Sequence, residues 1–416
     1  MEVKPGYKQT DVGVIPEDWS EVNITSVARL ESGHTPSRKK PNYWNGAVQW
    51  ISLHDTGKLD SLEIYSTTQT ITEDGLKNSS ARLLPAGTVA FSRTATVGKC
   101  CVMARAMATS QDFACYVCGP SLNNQFLVYL FRGMDRVWRG LMAGSIHNTI
   151  YMPVFKALKI PLPPVKEQRA IATALGDMDA LLDGLDRLIA KKRVIKQATM
   201  QQLLPGQTRL PGFSGAWEIK RLGDLGATYG GLIGKNKADF GTGSAKYVPF
   251  INVIANVQID CTAFDAVNVE AAENQNKVAK GDLLFNGSSE TPEEVALCSF
   301  MAKEVKNLYL NSFCFGLRIK NPEMIDGLFL AYYIRSPIGR DLMKSLAQGS
   351  TRYNLSKRAL LEAQLPLPEK EEQTAIATVL SDMDAEITVL ETRRTKTRAL
   401  KQAMMQELLT GRTRLV

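Results

Sequence analysis

A segment of 50 residues occurs twice in the chain, first at 161–210 and again at 366–415. The two copies align without a gap and are identical at 28 of the 50 positions, which is far beyond chance for an internal repeat. The residues before each copy also correspond, at lower similarity, as in the glycine-serine loops at Gly144 and Gly349. The chain is therefore a tandem repeat, and its fold has to be built from two similar halves.

Each copy of the repeat predicts one long α-helix. Pro161 and Pro163 mark the entry, because proline is excluded from a helix interior, and Gly206 supplies a stop signal. In between, apolar residues recur at alternating steps of four and three, which is typical of a coiled-coil seam. At roughly 38 residues the helix would be ~57 Å long. The seam residues are Ile171, Leu175, Met178, Leu182, Leu185 and Ile189 in the first copy, and Ile376, Leu380, Met383, Ile387 and Leu390 in the second.

The charges on the two helices favour an antiparallel coiled coil. Acidic residues occupy the first half of each copy and basic residues the second half, so a parallel pair would set acid beside acid. An antiparallel pair centred near Leu185 and Leu390 would set acid beside base, and such pairs select direction more than they add stability. The expected pairs are Asp177 with Arg398, Asp179 with Lys396, Arg193 with Asp382 and Lys191 with Asp384. The alternative is two amphipathic helices that pack on separate domains.

Composition narrows the class of protein. A chain of 416 residues is long enough for two or three domains. Its net charge of +8 favours an acidic partner such as nucleic acid, although many basic proteins bind none. No apolar run approaches membrane-spanning length, and the N-terminal residues lack the apolar region of a signal peptide. Seven cysteines, an odd number, then predict reduced thiols and a cytoplasmic location.

Four short motifs, each present twice, give the chain a recognisable pattern. They are the PLP-x-x-x-EQ-x-AIAT segments at 161–173 and 366–378, the LL-x-G ends at 203–206 and 408–411, the G-x-x-x-F-[SN] elements at 87–92 and 281–286, and the glycine-serine loops. Together they resemble the specificity subunit of type I restriction–modification systems, over nearly the whole chain. Any one of the motifs alone would be weak.

The resemblance implies an α/β (α+β) fold with two similar globular target-recognition domains. Two long helices that form an antiparallel coiled coil would separate them, as a pseudo-twofold internal repeat. The expected boundaries are 1–164 and 207–365 for the recognition domains, 165–206 for the central helix and 366–416 for the C-terminal helix. Each recognition domain would read one half of a bipartite, asymmetric site in double-stranded DNA. The helices would space the domains and dock two methyltransferase subunits, which methylate adenine with S-adenosylmethionine, and a restriction subunit would join the larger complex.

The candidate DNA-binding residues lie on the most polar and basic loops, which the strand ends carry. Lysine and arginine neutralise phosphates and position the protein, while side chains that reach base edges specify the sequence. The candidates are Arg38, Lys39, Lys40, Arg93, Thr94, Lys99 and His147 in the first half, and Lys235, Asn236, Lys237, Ser288, Ser289, Thr291 and Arg352 in the second. For each of them a solvated surface role is an equally good interpretation. The segment 286–294 is acidic, whereas its counterpart in the first half, SRTAT at 92–96, is basic. A glutamate in this segment either accepts a hydrogen bond from cytosine N4, or the segment makes no DNA contact.

The sequence offers no catalytic machinery of its own. It has neither the glycine-rich cofactor loop and Asn/Asp-Pro-Pro-aromatic motif of a methyltransferase nor a P-loop. Cys115 and Cys118 are poorly placed to chelate zinc, because residues three apart on a strand point to opposite faces. We therefore expect no catalytic residue, no metal site and no cofactor in this chain. The alternatives to a DNA-recognition subunit are a protein-binding coiled-coil scaffold and a stand-alone methyltransferase or nuclease.

Overall fold

The computed structural model describes residues 4–142 and 148–415 of the chain. It divides into two compact units, which we call unit 1 (Met1–Asp186 with Arg393–Val416) and unit 2 (Arg187–Thr392). Within the described ranges, no helix is both long and apolar enough to cross a membrane.

Up to residue 162, the described part of unit 1 contains twelve short strands and four short α-helices. The strands are β1 Tyr7–Thr10, β2 Gly13–Pro16, β3 Ser20–Asn23, β4 Ala28–Ser32, β5 Trp44–Ile51, β6 Glu63–Ile64, β7 Gln69–Ile71, β8 Val89–Ser92, β9 Cys100–Met103, β10 Ala108–Thr109, β11 Phe113–Cys118 and β12 Lys159–Leu162. The helices are α1 Glu73–Lys77, α2 Asn124–Gly133, α3 Asp135–Leu141 and α4 Met152–Ala157, and the long helix α5 Val165–Leu203 follows.

Two sheets form the body of unit 1. The larger has the order β4-β11-β8-β9-β6, and the smaller has the order β10-β5-β7. The largest buried cluster contains Phe91, Tyr116 and Phe131 together with Ile171 from the start of α5. The sheet, helix α2 and the long helix therefore share one hydrophobic core, which orients the domain on the helix.

Unit 2 repeats this plan. Its strands are β13 Glu218–Arg221, β14 Gly226–Gly230, β15 Phe240–Val248, β16 Asp265–Val267, β17 Leu283–Asn286, β18 Ser288–Ser289, β19 Cys298–Phe300, β20 Leu308–Leu310, β21 Cys314–Ile319, β22 Tyr353–Asn354 and β23 Gln364–Leu367. Its helices are α6 Leu222–Leu225, α7 Phe250–Ala255, α8 Gly327–Arg335, α9 Pro337–Leu346 and α10 Lys357–Glu362, and the second long helix is α11 Lys370–Leu408.

The sheets of unit 2 have the orders β14-β21-β17-β19 and β16-β15-β20. They match those of unit 1 except that the edge strand β6 has no counterpart in the larger sheet. Aligning the two halves by residue type alone pairs Phe113 with Phe313, and the strand pairing shows that this match is wrong. Phe113 lies opposite Ser92, and Cys314 lies opposite Asn286, so Cys314 is the structural counterpart of Phe113. A slip of one residue moves every side chain to the other face of a strand, and it leaves Phe313 outside the sheet.

The two long helices, each of 39 residues, run antiparallel wherever they meet. In unit 1, Asp179 of α5 pairs with Lys401 of α11, and Asp186, further along α5, pairs with Arg394, earlier along α11. The same reversal occurs in unit 2, where Lys192 pairs with Glu386. The predicted direction is therefore confirmed.

The predicted register of the coil was wrong by five residues. Asp179 pairs with Lys401 rather than Lys396, and Asp384 pairs with Lys196 rather than Lys191. Most of the seam is buried in this register. The residues that are less than 10% exposed are Ile171, Leu175, Leu182, Leu185, Ile189, Ile376, Leu380 and Ile387, and the half-buried ones are Met178, Met383 and Leu390.

A tyrosine ties each globular domain to both helices and explains that register. In unit 1 the Tyr129 hydroxyl donates to Asp179 Oδ2 at 2.8 Å, while Lys401 holds Oδ1 of the same carboxylate. Unit 2 repeats the contact with Tyr332, whose hydroxyl donates to Asp384 at 2.7 Å. One carboxylate thus joins three elements, and the tyrosine fixes which lysine can reach it.

The Glu-Gln pair of the repeated motif joins each long helix to the domain before it. The Gln168 side chain accepts from the Asn123 backbone N–H at 2.8 Å and donates to the Ser121 carbonyl at 2.9 Å. Gln373 makes the equivalent bond to the Asp326 N–H at 2.9 Å. Asn123 and Asp326 are the N-caps of α2 and α8. Each glutamine on a long helix therefore holds the residue at which a shorter helix of the same domain begins.

The glutamate of the same motif is a buried charge with an arginine partner. In unit 1, Glu167 is fully buried and accepts from Arg414 and from the Trp19 indole N–H, the latter at 2.9 Å. Arg414 also binds both carboxylate oxygens of Asp18, at 2.9 and 2.7 Å. Residues near the two ends of the described chain therefore meet.

Unit 2 contains the same pair, formed by Glu372 and Arg209. The glycine that ends each long helix lies beside this pair. Gly411 has φ +69, and a Cβ built on it would lie 2.5 Å from Pro16, so only glycine fits this turn.

Candidate nucleic-acid interface

In unit 1, three of the predicted polar loops converge on one edge of the larger sheet. Arg93 Nε donates to the Gln111 carbonyl at 2.9 Å, and its Nη1 donates to the Ile150 carbonyl at 3.2 Å. Thr35, in the basic loop that follows β4, donates to the Gln111 side chain at 2.7 Å. Thr94 forms a β-bridge with Thr149. These contacts hold the loops that follow β4, β8 and α3 in one surface.

The basic loop of unit 1 is ordered by aromatic side chains. The guanidinium of Arg38 lies 3.8 Å from the ring centroid of Trp44, and it also donates to Gln69 at 3.0 Å. Lys40 donates to the Tyr43 hydroxyl at 3.1 Å. Lys39 is exposed, and among the described residues its ammonium group has no hydrogen-bond or ion-pair partner. The loop therefore presents charge on a rigid base, which lowers the entropy lost on binding.

Two other unit 1 candidates have internal partners. Arg93 is half-buried, and its guanidinium donates to backbone carbonyls of the two neighbouring loops. Lys99 donates to Asp60 at 2.8 Å and to the Thr56 carbonyl at 3.2 Å. Both side chains shape the surface instead of offering a free charge to it.

The tip of the loop after β8 stores backbone strain. Ala95 has φ +60, a conformation that costs an L-residue roughly 1–2 kcal/mol. It is exposed, and its N–H donates to the Asn148 carbonyl at 3.1 Å, so the neighbouring loop holds it in place. Strain of this kind is concentrated at functional sites. His147, the candidate beside Asn148, lies outside the described residues.

In unit 2, the basic loop at 235–237 is less cationic than its sequence indicates. The side chain of Lys235 is only 6% exposed and pairs with Glu273, and this hydrogen bond lowers the pKa of the Glu273 carboxyl to about 2. The Asn236 side chain accepts from the Ala238 N–H at 2.8 Å and so caps a short helical turn. Lys237 is exposed and has no polar partner within the part of the chain that is described.

The other unit 2 candidates form one cluster. Strand β18 pairs with β22, which places Ser288 opposite Asn354. Arg352, just before β22, donates to Ser288 Oγ at 3.4 Å and is exposed. Ser289 accepts from the Thr291 N–H at 3.3 Å and donates to Glu294 at 3.3 Å. The structure therefore brings Ser288 and Arg352 together on the surface, while Ser289 shapes the acidic loop.

Two residues at this edge were missed by the sequence analysis. Gln111 in unit 1 is exposed, and its side chain already orients Thr35. Phe313 in unit 2 is 58% exposed, and its ring lies 5.8 Å from the Arg352 guanidinium. Gln111 lies two residues before β11, and Phe313 lies one residue before β21. At such a position the polarity of a residue alone does not show whether it could contact DNA. A correct strand alignment between the two halves would have drawn attention to them.

Comparison with known proteins agrees with this architecture. A family model for the type I restriction modification DNA specificity domain matches residues 16–192 and again residues 215–398. The chain belongs to this family. Each match covers one set of sheets and continues into the long helix that follows.

Curated members of the family are distant in sequence. A type I restriction enzyme MjaIX specificity subunit from Methanocaldococcus jannaschii is 26% identical over 236 residues, which are 53% of this chain and 54% of that one. The chain thus spans about half the length of this relative. A putative MjaX specificity subunit from the same organism is 24% identical over 98% of this chain and 97% of its own length.

The fold is shared with solved structures. The S subunit of a type I restriction–modification system from M. genitalium superposes with a TM-score of 0.57, at 15% identity, over 98% of both chains. At that identity the likeness establishes the fold of this chain, and the function rests on the family match and on the surfaces described above.

Proposed function

We propose that this chain is the DNA-recognition subunit of a type I restriction–modification complex, with residues 1–164 and 207–365 as its two target-recognition domains. Each domain would read one half of a bipartite, asymmetric site in double-stranded DNA. The observation that carries the proposal is the double family match, since it falls on two units with similar sheets but different loop residues. A repeated scaffold with different loops suits two half-sites of different sequence.

The exposed cations at the loop edge would supply phosphate contacts. We assign this role to Lys39 and Lys40 in unit 1 and to Lys237 in unit 2, which are exposed and form no ion pair that the structure describes. Lys99 and Lys235 are left out, because Asp60 and Glu273 neutralise them. Each phosphate contact that is lost should lower the slope of log K against log salt by about 0.9.

The base-reading residues would be those that stand on the same edge with free polar atoms. In unit 1 these are Arg38, Thr94 and Gln111, and His147 belongs to the same loop in sequence. In unit 2 they are Ser288, Thr291 and Arg352. Arginine can bind guanine O6 and N7 with two hydrogen bonds, and glutamine can do the same with adenine N6 and N7.

We further propose that the chain is not catalytic and that the long helices space the recognition domains and bind two methyltransferase subunits. Partner subunits would carry adenine methylation and, where a restriction subunit is present, cleavage. No cluster of three metal-ligating side chains occurs among the described residues. The complex would act in the cytoplasm.

A domain exchange tests the proposal. Residues 207–365 are replaced by the equivalent block of a relative, and the chain is produced in cells with its partner methyltransferase. Sequencing of the methylated adenines should then show one half-site changed and the other intact, with the same exchange at 20–160 as the reciprocal control. A change in both half-sites, or in neither, contradicts the proposal that each domain reads one half-site.

Assays on the purified protein distinguish the proposed function from a stand-alone enzyme and from a protein-binding scaffold. Methyl transfer by the chain alone, with S-adenosylmethionine and DNA, would favour the stand-alone enzyme, and failure to bind DNA even with the methyltransferase would favour the scaffold. For the phosphate contacts, Lys39→Ala should reduce the salt slope by about 0.9. The matched control is Lys77→Ala, since Lys77 is 70% exposed and pairs with Glu73 on helix α1.

A further inference from the structure

Phe313 of unit 2 is a large apolar side chain held on the surface by a structured turn. It is 58% exposed, whereas Leu310 before it and Cys314 after it are almost completely buried. The turn is closed by hydrogen bonds from the Cys314 N–H to the Asn311 carbonyl at 3.0 Å and from the Phe313 N–H to Asn311 Oδ1 at 2.9 Å. The exposure therefore comes from the backbone of the turn and not from a loose segment.

One arginine and several hydrogen-bonding groups surround Phe313. Its carbonyl accepts from the Gly287 N–H at 2.9 Å, which joins the turn to the loop that carries Ser288. Its ring lies 5.8 Å from the Arg352 guanidinium, which in turn donates to Ser288 at 3.4 Å. Asn354, opposite Ser288 on β22, is also exposed. The ring is thus a largely exposed apolar group beside a small polar cluster.

The loop that follows Ser289 carries three acidic side chains. Glu294 accepts from Ser289, and Glu293 lies 3.5 Å from Lys344. Glu290 is exposed on the same loop. An apolar ring beside an arginine matches what the major groove presents, because thymine offers a C5-methyl group and guanine offers the O6 and N7 acceptors.

We propose that Phe313 and Arg352 form a paired reading element in which Phe313 contacts the methyl group of a thymine and Arg352 binds a guanine on a neighbouring base pair. The separation of 5.8 Å corresponds to one or two steps of B-DNA, which rises about 3.4 Å per base. This inference rests on the proposed function and assigns a base to one of its loops. The counterpart of Phe313 in unit 1 is Asp112, so the element belongs to unit 2 alone.

The test uses the complex of the full chain with its partner methyltransferase. The half-site that belongs to residues 207–365 is first identified by the domain exchange described above. Duplexes are then made in which each thymine of that half-site is replaced singly by deoxyuridine, which lacks the methyl group. The wild-type complex should bind about fourfold more weakly at one position, the value of one buried methyl group.

Three variants isolate the two contacts. Phe313→Ala should bind thymine and deoxyuridine equally well at that position, while Phe313→Leu should keep the preference because it keeps an apolar surface. Arg352→Lys keeps the charge but loses the two-bond geometry, so it should lose about 5- to 150-fold of its preference for guanine at the neighbouring position. The half-site read by unit 1 should be unchanged in all three variants.

Several outcomes would overturn the inference. A half-site without thymine, or a Phe313→Ala complex that still discriminates at every thymine, removes the methyl contact. Equal weakening on all DNA sequences makes Phe313 a non-specific contact, and impaired assembly with the methyltransferase at an unchanged sequence preference makes it a protein contact. If the wild-type complex shows no sequence preference at all, the proposed function itself fails, which is a separate result.

Discussion

Replacing Arg414 with methionine should destabilise the chain by about 3 kcal/mol, the lower end of the range for breaking a buried ion pair. The change keeps most of the side-chain volume and leaves the Glu167 carboxylate, which is fully buried, without its cationic partner. We expect the lower end because Glu167 retains one donor, the Trp19 indole N–H at 2.9 Å. Asp18 also loses its partner, but it is exposed and adds little.

The repeated architecture provides a matched variant in unit 2. Arg209→Met removes the cationic partner of Glu372, which is 1% exposed. The counterpart of Trp19 here is Trp217, and its indole nitrogen has no hydrogen-bond partner among the described residues. Glu372 therefore keeps no compensating donor. Since a hydrogen bond to a charged group contributes about 1.5–3 kcal/mol, Arg209→Met should cost about 4–5 kcal/mol.

Urea unfolding followed by tryptophan fluorescence measures the free energy of unfolding of both variants. The double variant Glu167→Gln/Arg414→Met should recover part of the lost stability, because it removes the unpaired charge.

NMR titration of Asp18 gives an independent readout. The hydrogen bond from Arg414 lowers the pKa of Asp18 below its usual 3.8, so this contact stabilises the fold above about pH 4 and is lost as the pH falls. In Arg414→Met the pKa should rise. Losses below 1 kcal/mol, or a larger loss for Arg414 than for Arg209, would refute the reasoning.

Three further outcomes follow from local geometry. Ala95→Gly should raise the free energy of unfolding in urea by about 0.5–1 kcal/mol, because glycine relieves the left-handed backbone; a loss would mean that the loop adopts another conformation in solution. Cysteines placed at Asp179 and Lys401 should cross-link on oxidation, while the pair at Asp179 and Lys396 should not, and the reverse would restore the register predicted from sequence. Iodoacetamide at pH 8 should label Cys261 first, as read by mass spectrometry, because burial raises the pKa of the other six thiols; early labelling elsewhere would contradict the burial.

The long helices could be predicted from the sequence because local spacing encodes them. Prolines, seam residues and terminal glycines all act over a few positions, and the sum of the charges was enough to choose the antiparallel direction. The register was wrong by five residues, because Asp179 is shared with Tyr129. That tyrosine lies 50 positions earlier, and nothing in the helix sequence shows that it will reach the seam.

The recognition loops show a different limit of sequence reasoning. Arg93, Lys99 and Lys235 have the charge expected of DNA contacts, but their partners Ile150, Asp60 and Glu273 come from remote segments. Residue type reveals which groups could bind phosphate, and only the tertiary structure reveals which of them already have hydrogen-bond or ion-pair partners. Phe313 was hidden by a shift of one residue in the strand alignment, and this shift decides between core and surface.

The two units differ in how the chain supplies them. Unit 2 is one continuous stretch, Arg187–Thr392, whereas unit 1 needs Arg393–Val416 as well as Met1–Asp186. On a ribosome that adds about 5–20 residues per second, the first part of unit 1 emerges roughly 10–40 s before the last part exists. During that interval Glu167 has no arginine partner and Trp19 lacks its glycine neighbour at 411. The half that is translated first is therefore the half that finishes folding last, and it is the one a nascent-chain chaperone would have most time to bind.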